Sequence, residues 1–393
     1  MSSSNYTPSK TTEFFTKINK IWSIAGLYNL WIIDEYNNKT LKFIHKMITF
    51  SIYIFIFLEY LALFTQPHLT EKQSKDLLLF VFSHPIIMSY YIGLVYNKKK
   101  VKDLLIMLNV TLKEIYNDPD VEKRMIRKAT IFSITYELFI CVSVFSYGFD
   151  GLMQVLRADG TFVTVVTVWP DVTDKSSLAN IVRVLIYLFW WIFVIRISAV
   201  SVLTIMTSIA LSHQYRNIQS YFHSLNDLFK EDADENSHKD SEIKYLKAVK
   251  VGIKQHSVTL WCTQQCQETG TIVVSGQIII NVSVLCLLMS QMVRTERTLE
   301  NALAIMCTII AVLGGTGMFM LNTGDITIEA ALVPTAMYSS GWQNCRNAAS
   351  AQARRMLVLA MMQGQVREHV ALRSFGIVEI SYESFVSVSK NHN

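Results

Sequence analysis

Six stretches of about twenty predominantly apolar residues, each long enough to cross a bilayer as a helix, leave few folds open to this chain. They cover residues 47–64, 77–96, 131–149, 181–211, 271–291 and 302–321. The alternative reading, buried helices of a soluble core, fails on their number and length. Composition agrees. Of 393 residues, 51% are hydrophobic and only 17% charged, against roughly a quarter charged in a typical soluble domain. The class expected is therefore an all-α membrane protein. The leading MSSSNYTPSKTTEFF has no apolar core of a secretory signal, so the first internal span is expected to drive insertion.

Lysine and arginine mark the orientation. With the N-terminus cytoplasmic, 26 of them fall on the inner side and six in the outer loops, the bias expected of cytoplasmic loops. The same placement accounts for the net charge of +5 without nucleic acid, because the excess faces anionic membrane lipid. A cytoplasmic N-terminus is opposite to that of a G-protein-coupled receptor.

The connections are unequal. The outer loop 150–180 is long and contains an alternating run at 161–170, TFVTVVTVWP, which reads as a strand or as a lid over a cavity. On the inner side, the charged stretch 227–240 precedes 241–268, whose apolar positions recur at helical spacing into the fifth span. The fourth span is long enough to project beyond the bilayer. Helices leaving the membrane with an apolar stripe need protein partners, so a packed inner helical subdomain is expected.

Catalytic patterns are missing. There is no Gly-x-Ser-x-Gly, His-Glu-x-x-His or phosphate-binding loop, and no enzyme activity is expected. The triplet Thr323-Gly324-Asp325 resembles part of an intramembrane aspartyl protease, but the six spans contain no aspartate. Cys262 and Cys266 share a helix face with only His256 nearby as a further ligand, so no metal site and no cofactor are expected. Charged groups within spans are few. Glu59 is placed near the outer end of the first span, within reach of the interface. Glu137 and Arg196 sit at similar depth on oppositely running helices, which suggests an ion pair.

Aromatic density in the outer halves of spans two to four is more informative. It suits an apolar pocket for a small, mostly hydrophobic ligand. The candidates are Phe80, His84 and Tyr91 on the second span and Phe139, Ser143 and Tyr147 on the third. Tyr187 and Trp190 on the fourth and Met306 and Ile309 on the sixth complete the set. Periodicity leaves open which of them face inward.

The last third of the chain resembles the insect odorant receptors. The residues that carry the resemblance run from Leu321 to Trp342, LNTGDITIEAALVPTAMYSSGW. They look like that family's Gly-x-x-(Ile/Thr)-x-x-Glu…Ala-x-Tyr-x-x-x-Trp pattern. The segments 354–363 and 376–387, with His256 and Trp169-Pro170-Asp171, agree with it. The resemblance implies seven transmembrane helices, a cytoplasmic N-terminus and a cytoplasmic helical anchor domain at about 322–375. It implies an odorant-binding subunit of a ligand-gated cation channel in the plasma membrane of olfactory sensory neurons, assembled with a co-receptor in a heterotetramer. A pocket among helices two, three, four and six is implied, where the aromatics gather. The moderate length of the segment between helices four and five resembles a tuning subunit. The seventh helix, 376–393, is short and ends polar, unlike the family's. Tyr338 and Trp342 are four apart and, on a helix, would share one face as anchors of the inner subdomain. A gustatory-type receptor is disfavoured because its Thr-Tyr…Gln-Phe ending is missing. An N-inside seven-helix hydrolase would need intramembrane His and Asp zinc ligands that the spans do not supply.

Overall fold

The computed structural model describes residues 9–31, 39–158, 160–230, 235–294, 299–365, 373–374 and 378–379. The first element is a helix that the sequence reading did not anticipate, α1 (Lys10–Ile24), capped by the Ser9 side chain accepting from the Thr12 N–H. Then follow α2 (Lys39–Thr65) and α3 (Glu71–Tyr96), the latter opened by a Thr70/Gln73 capping box. Short turns α4 (Lys98–Ile106) and α5 (Leu112–Ile115) flank a π-helical turn, Met107–Thr111. Four long helices come next: α6 (Pro119–Ala158), α7 (Ser177–Ser224), α8 (Glu235–Arg294) and α9 (Leu299–Tyr338). The chain continues into α10 (Asn347–Gln365) and a two-residue antiparallel ribbon, β1 (Arg373–Ser374) with β2 (Val378–Glu379).

Each apolar run lies inside one helix, and six helices are long and apolar enough to cross a membrane. The expected short seventh helix, 376–393, lies outside the described residues except for Val378–Glu379, which is strand.

Helix length organises the rest. At 60 residues, α8 extends about 90 Å, at about 1.5 Å per residue, roughly three times the hydrocarbon thickness. The 48-residue α7 and 40-residue α9 also overrun. The overhangs share the end carrying the Lys-rich turn α4, here called the basic end; the 159–176 connection marks the far end. The overhangs pack there into a second core in which Tyr215, Phe222, Tyr245, Val249, Val333 and Leu357 are buried together. α9 runs unbroken through Leu321, so span and overhang are one rod.

In the spanning part, large exposed apolar side chains such as Phe57, Phe64, Phe145 and Leu188 cover the outside, as lipid-facing surface requires. Inside, helices approach closely. A Cβ added at Gly314 would lie 2.5 Å from Cε2 of Phe139, so glycine is what lets the ring lie against α9.

The 161–170 run forms no strand. Its backbone is instead satisfied from outside. The Gln66 side-chain amide donates to the Thr167, Val168 and Pro170 carbonyls at 2.8, 3.1 and 3.1 Å. Val166 and Val172 bury against Ala62, Leu77 and Val81. The strand reading of the alternation is thus not met: the segment runs through bends, and a side chain takes the place of a ladder. The segment closes the far ends of α2 and α3.

At the basic end, α1 is tied to α6 by the Thr11 N–H and hydroxyl, both donating to Glu122 Oε1 at 2.7 Å. Nearby Lys113 is 8% exposed and its Nζ has no hydrogen-bond partner. Burial pushes its ammonium from the ordinary 10.5 down to about 8, against the opposing pull of Glu122 and Asp118. Protonation is thus disfavoured in the folded state. The associated stability is fully present above pH 10.5, falls as the pH drops towards 8, and stays lost below that.

Two outcomes follow for purified protein in detergent. Gly314→Ala should lower stability by about 1–3 kcal/mol, and Phe139→Leu should restore part of it, as overpacking predicts; an additive loss in the double variant contradicts the contact. Lys113→Met should raise stability by roughly 2–4 kcal/mol at pH 7 and by little at pH 10.5. Thermal unfolding across pH tests it, and a pH-independent difference counts against the buried ammonium.

Candidate functional site

Four of the ten sequence-nominated residues meet in one cluster in the far half of the bundle. Phe80 and His84, one turn apart on α3, stack at 5.1 Å with an interplanar angle of 8°. Trp190 from α7 meets Phe80 edge-on at 5.1 Å, and Tyr147 from α6 packs on Phe80 at 5.4 Å and on Trp190 at 5.8 Å. Tyr187 joins at the rim, 6.3 Å from Trp190, with its hydroxyl donating to the Val144 carbonyl at 3.2 Å.

His84 also carries a polar chain through the cluster. Its Nδ1 lies 2.9 and 2.8 Å from the two Glu59 oxygens, and the Trp190 indole N–H donates to its Nε2 at 3.1 Å. An indole N–H can only donate. Nε2 is therefore the acceptor and Nδ1 carries the proton donated to Glu59. This corrects the placement of Glu59 at the interface: its side chain is fully buried between α2 and α3. The sequence gives its depth but not the face of α2 that turns inward.

The other nominated residues lie elsewhere. Ser143 bonds Thr308 across the α6–α9 seam at 2.9 Å. Phe139 lies on Gly314 in the same seam, and half-buried Ile309 packs nearby on the core. Tyr91 sits towards the basic end with the Arg196 guanidinium 5.5 Å from its ring centre. Met306 is 40% exposed and stands on the outward side of α9.

The suggested Glu137–Arg196 pair does not form. Glu137 accepts from the Ser198 hydroxyl at 3.0 Å. Arg196 turns the other way, to the Ala25 and His45 carbonyls, the Thr49 hydroxyl and His45 Nδ1. Similar depth did not place them on facing sides of their helices, and each finds neutral partners closer at hand.

Directly beneath the aromatic cluster, towards the basic end, is a cavity of about 130 Å³. Five helices wall it: Ile87 and Tyr90 of α3, Tyr136 and Ile140 of α6, Val194, Ile197, Ser198 and Ser201 of α7, Gln277 and Ile280 of α8, and Ala311 and Val312 of α9. Its polar atoms are sparse. Ser198 is engaged by Glu137, and the Gln277 amide donates to Thr316 at 3.1 Å. The Tyr90 hydroxyl is buried with no hydrogen-bond partner. None of the ten nominated residues lines this cavity. A signal for it existed in the sequence: Ser198, Ser201 and Gln277 are polar residues in apolar spans, where such groups turn to the interior.

The chain is thus an all-helical membrane protein with a small, mostly apolar cavity walled by five of its helices. The chain matches the 7tm Odorant receptor family over residues 78–392 and belongs to that family. Its fold is similar to the insect olfactory receptor OR5 from Machilis hrabei in complex with eugenol, with TM-score 0.76 and 10% identity over 96% of this chain and 95% of that one. A second structure of the insect olfactory receptor OR5 from Machilis hrabei gives TM-score 0.77 with the same identity and coverage. At this identity the likeness is one of fold. No curated protein matches the chain in sequence.

The polar chain makes a separable prediction. Glu59→Ala strands the His84 N–H in an apolar site and should cost about 1–3 kcal/mol, whereas Glu59→Gln keeps an acceptor and should cost clearly less. Thermal unfolding of the two variants decides; equal losses would mean that packing rather than the hydrogen bond matters there.

Proposed function

We propose that this odorant-receptor family member is the odorant-binding subunit of a heteromeric ligand-gated cation channel, opened when a small hydrophobic volatile occupies the mid-span cavity. The observation that carries the reading is the cavity itself. Its volume of about 130 Å³ is close to the ~150 Å³ of an engineered apolar cavity that admits benzene. Its lining is mostly aliphatic and aromatic, so shape and dispersion dominate binding, and the Tyr90 hydroxyl offers one directional contact. The relative of similar fold was solved with eugenol.

The partner is the family's co-receptor, in a heterotetramer in the plasma membrane of olfactory sensory neurons. The basic end and N-terminus face the cytoplasm, as the lysine and arginine distribution supports. The overhanging core at that end is the anchor domain. Tyr338 and Trp342 belong to the anchor in a form different from a shared helix face. α9 ends at Tyr338, the backbone turns through Gly341 at φ 93°, and Trp342 opens a 3-10 turn. The rings still meet, 6.1 Å apart, and the Trp342 indole donates to the Tyr338 carbonyl at 3.0 Å. Tyr338 is 61% exposed in the single chain, which suits a contact with a neighbouring subunit.

Co-expression with the co-receptor should give cation currents evoked by members of a volatile panel. Ala311→Leu, which fills the cavity, should weaken the response at least about tenfold, the scale of a one-to-few-methylene misfit, while surface expression is kept. Silence of the wild type at the surface, or indifference to Ala311→Leu, contradicts the proposal.

A further inference from the structure

A second and larger opening, about 750 Å³, lies at the basic end between α2, α3 and the turn after α1. It has two chemically distinct parts. Phe43, Phe50, Tyr53, Ile92 and Val95 form an apolar groove, and all five are substantially exposed in the chain. At the mouth stand Lys42 and Lys46, on the first turns of α2, and Lys98, just past the end of α3. Lysines at the ends of spanning helices belong at the headgroup level of a bilayer. The apolar groove then lies at acyl-chain depth.

A buried cation behind the mouth adds to the positive potential there. Arg196 is 2% exposed, and its guanidinium is used entirely on neutral acceptors: the Ala25 and His45 carbonyls, Thr49 Oγ1 and His45 Nδ1. No carboxylate pairs with it among the described residues, so a cation sits uncompensated in a low-dielectric region. His45, which lines the opening, is 5% exposed. Because its Nδ1 accepts from Arg196, the ring proton is on Nε2. That N–H is buried beside the Ser23 backbone and is not open to the cleft.

We infer that this cleft binds an acidic glycerophospholipid. Its phosphate and headgroup anion lie against the Lys42, Lys46 and Lys98 ammonium groups, and one acyl chain lies in the groove between α2 and α3. The site needs only that α2 and α3 are in a membrane. It does not depend on the chain responding to odorants and is separate from the mid-span cavity. Because Arg196 joins α7 to α2 and also faces Tyr91, lipid occupancy bears on how these helices pack.

The test uses the full-length chain in nanodiscs of phosphatidylcholine with added phosphatidylserine, released into detergent and weighed intact by native mass spectrometry. The wild type should retain phosphatidylserine in preference to phosphatidylcholine. Lys42→Gln, Lys46→Gln and Lys98→Gln together should reduce that retention on the order of tenfold or more, since each juxtamembrane lysine contributes a few-fold. A control with Lys99→Gln, Lys123→Gln and Arg124→Gln removes as many charges outside the cleft and should retain the lipid. Equal retention of the two lipids, or equal loss in both triple variants, overturns the site. Displacement of the lipid by inorganic phosphate alone would assign it to a free anion instead.

Discussion

Backbone N–H and C=O groups in hydrocarbon have no water to bond, and the structure follows from that constraint. Every lipid-depth segment must satisfy its own backbone, so each apolar run becomes a helix. Here the helices are also far longer than the membrane requires, with α8 alone at 60 residues. The surplus cannot be left as isolated apolar rods in water. It condenses at one end, where Tyr215, Phe222, Tyr245 and Val333 bury together. Because α7, α8 and α9 run unbroken between the two regions, the spans and that second core are parts of the same rods. The fold thus joins a small cavity among the spans to the core formed by the helix overhangs.

The same constraint governs the polar groups inside. Glu59, Glu137 and Arg196 are each met by a different local solution: a histidine, a serine, and a set of carbonyl and hydroxyl oxygens with a tyrosine face. The His84 ring is the most constrained, with Glu59 on one nitrogen, Trp190 on the other and Phe80 stacked on its plane. This fixes the floor of the far half and leaves the cavity beneath it as the space in which a ligand can be accommodated. The Gln66-held 159–176 connection closes the far end above.

Much of the fold was legible in the sequence because hydrophobic length is a one-dimensional property. All six spans fall within single helices, and the periodic 241–268 lies in α8, which starts earlier than the periodicity indicates, at Glu235 within the charged stretch. α1 was missed since Phe14, Phe15 and Trp22 lie among too many polar residues to stand out, and its stability comes from Glu122 over a hundred residues away. The aromatic cluster was legible as a set, since Phe80, His84, Tyr147 and Trp190 do converge. The cavity was legible only through its polar residues Ser198, Ser201 and Gln277, because bulky residues signal where space is filled, whereas a cavity appears where Ala311, Ser198 and Ser201 are small. Partners of charges, as with Glu137 and Arg196, depend on helix rotation, which hydropathy does not encode.

The central claim is that a ligand occupies the space walled by α3, α6, α7, α8 and α9. Cysteine protection addresses it most directly. Ser201→Cys places a thiol on the cavity wall and Met306→Cys places one on the outward face of α9. With the native cysteines as background, a volatile that opens the channel should slow modification of Cys at position 201 by a small thiol reagent and leave position 306 unchanged. Protection at 306 alone, or at neither position while currents persist, would place the ligand elsewhere and contradict the account.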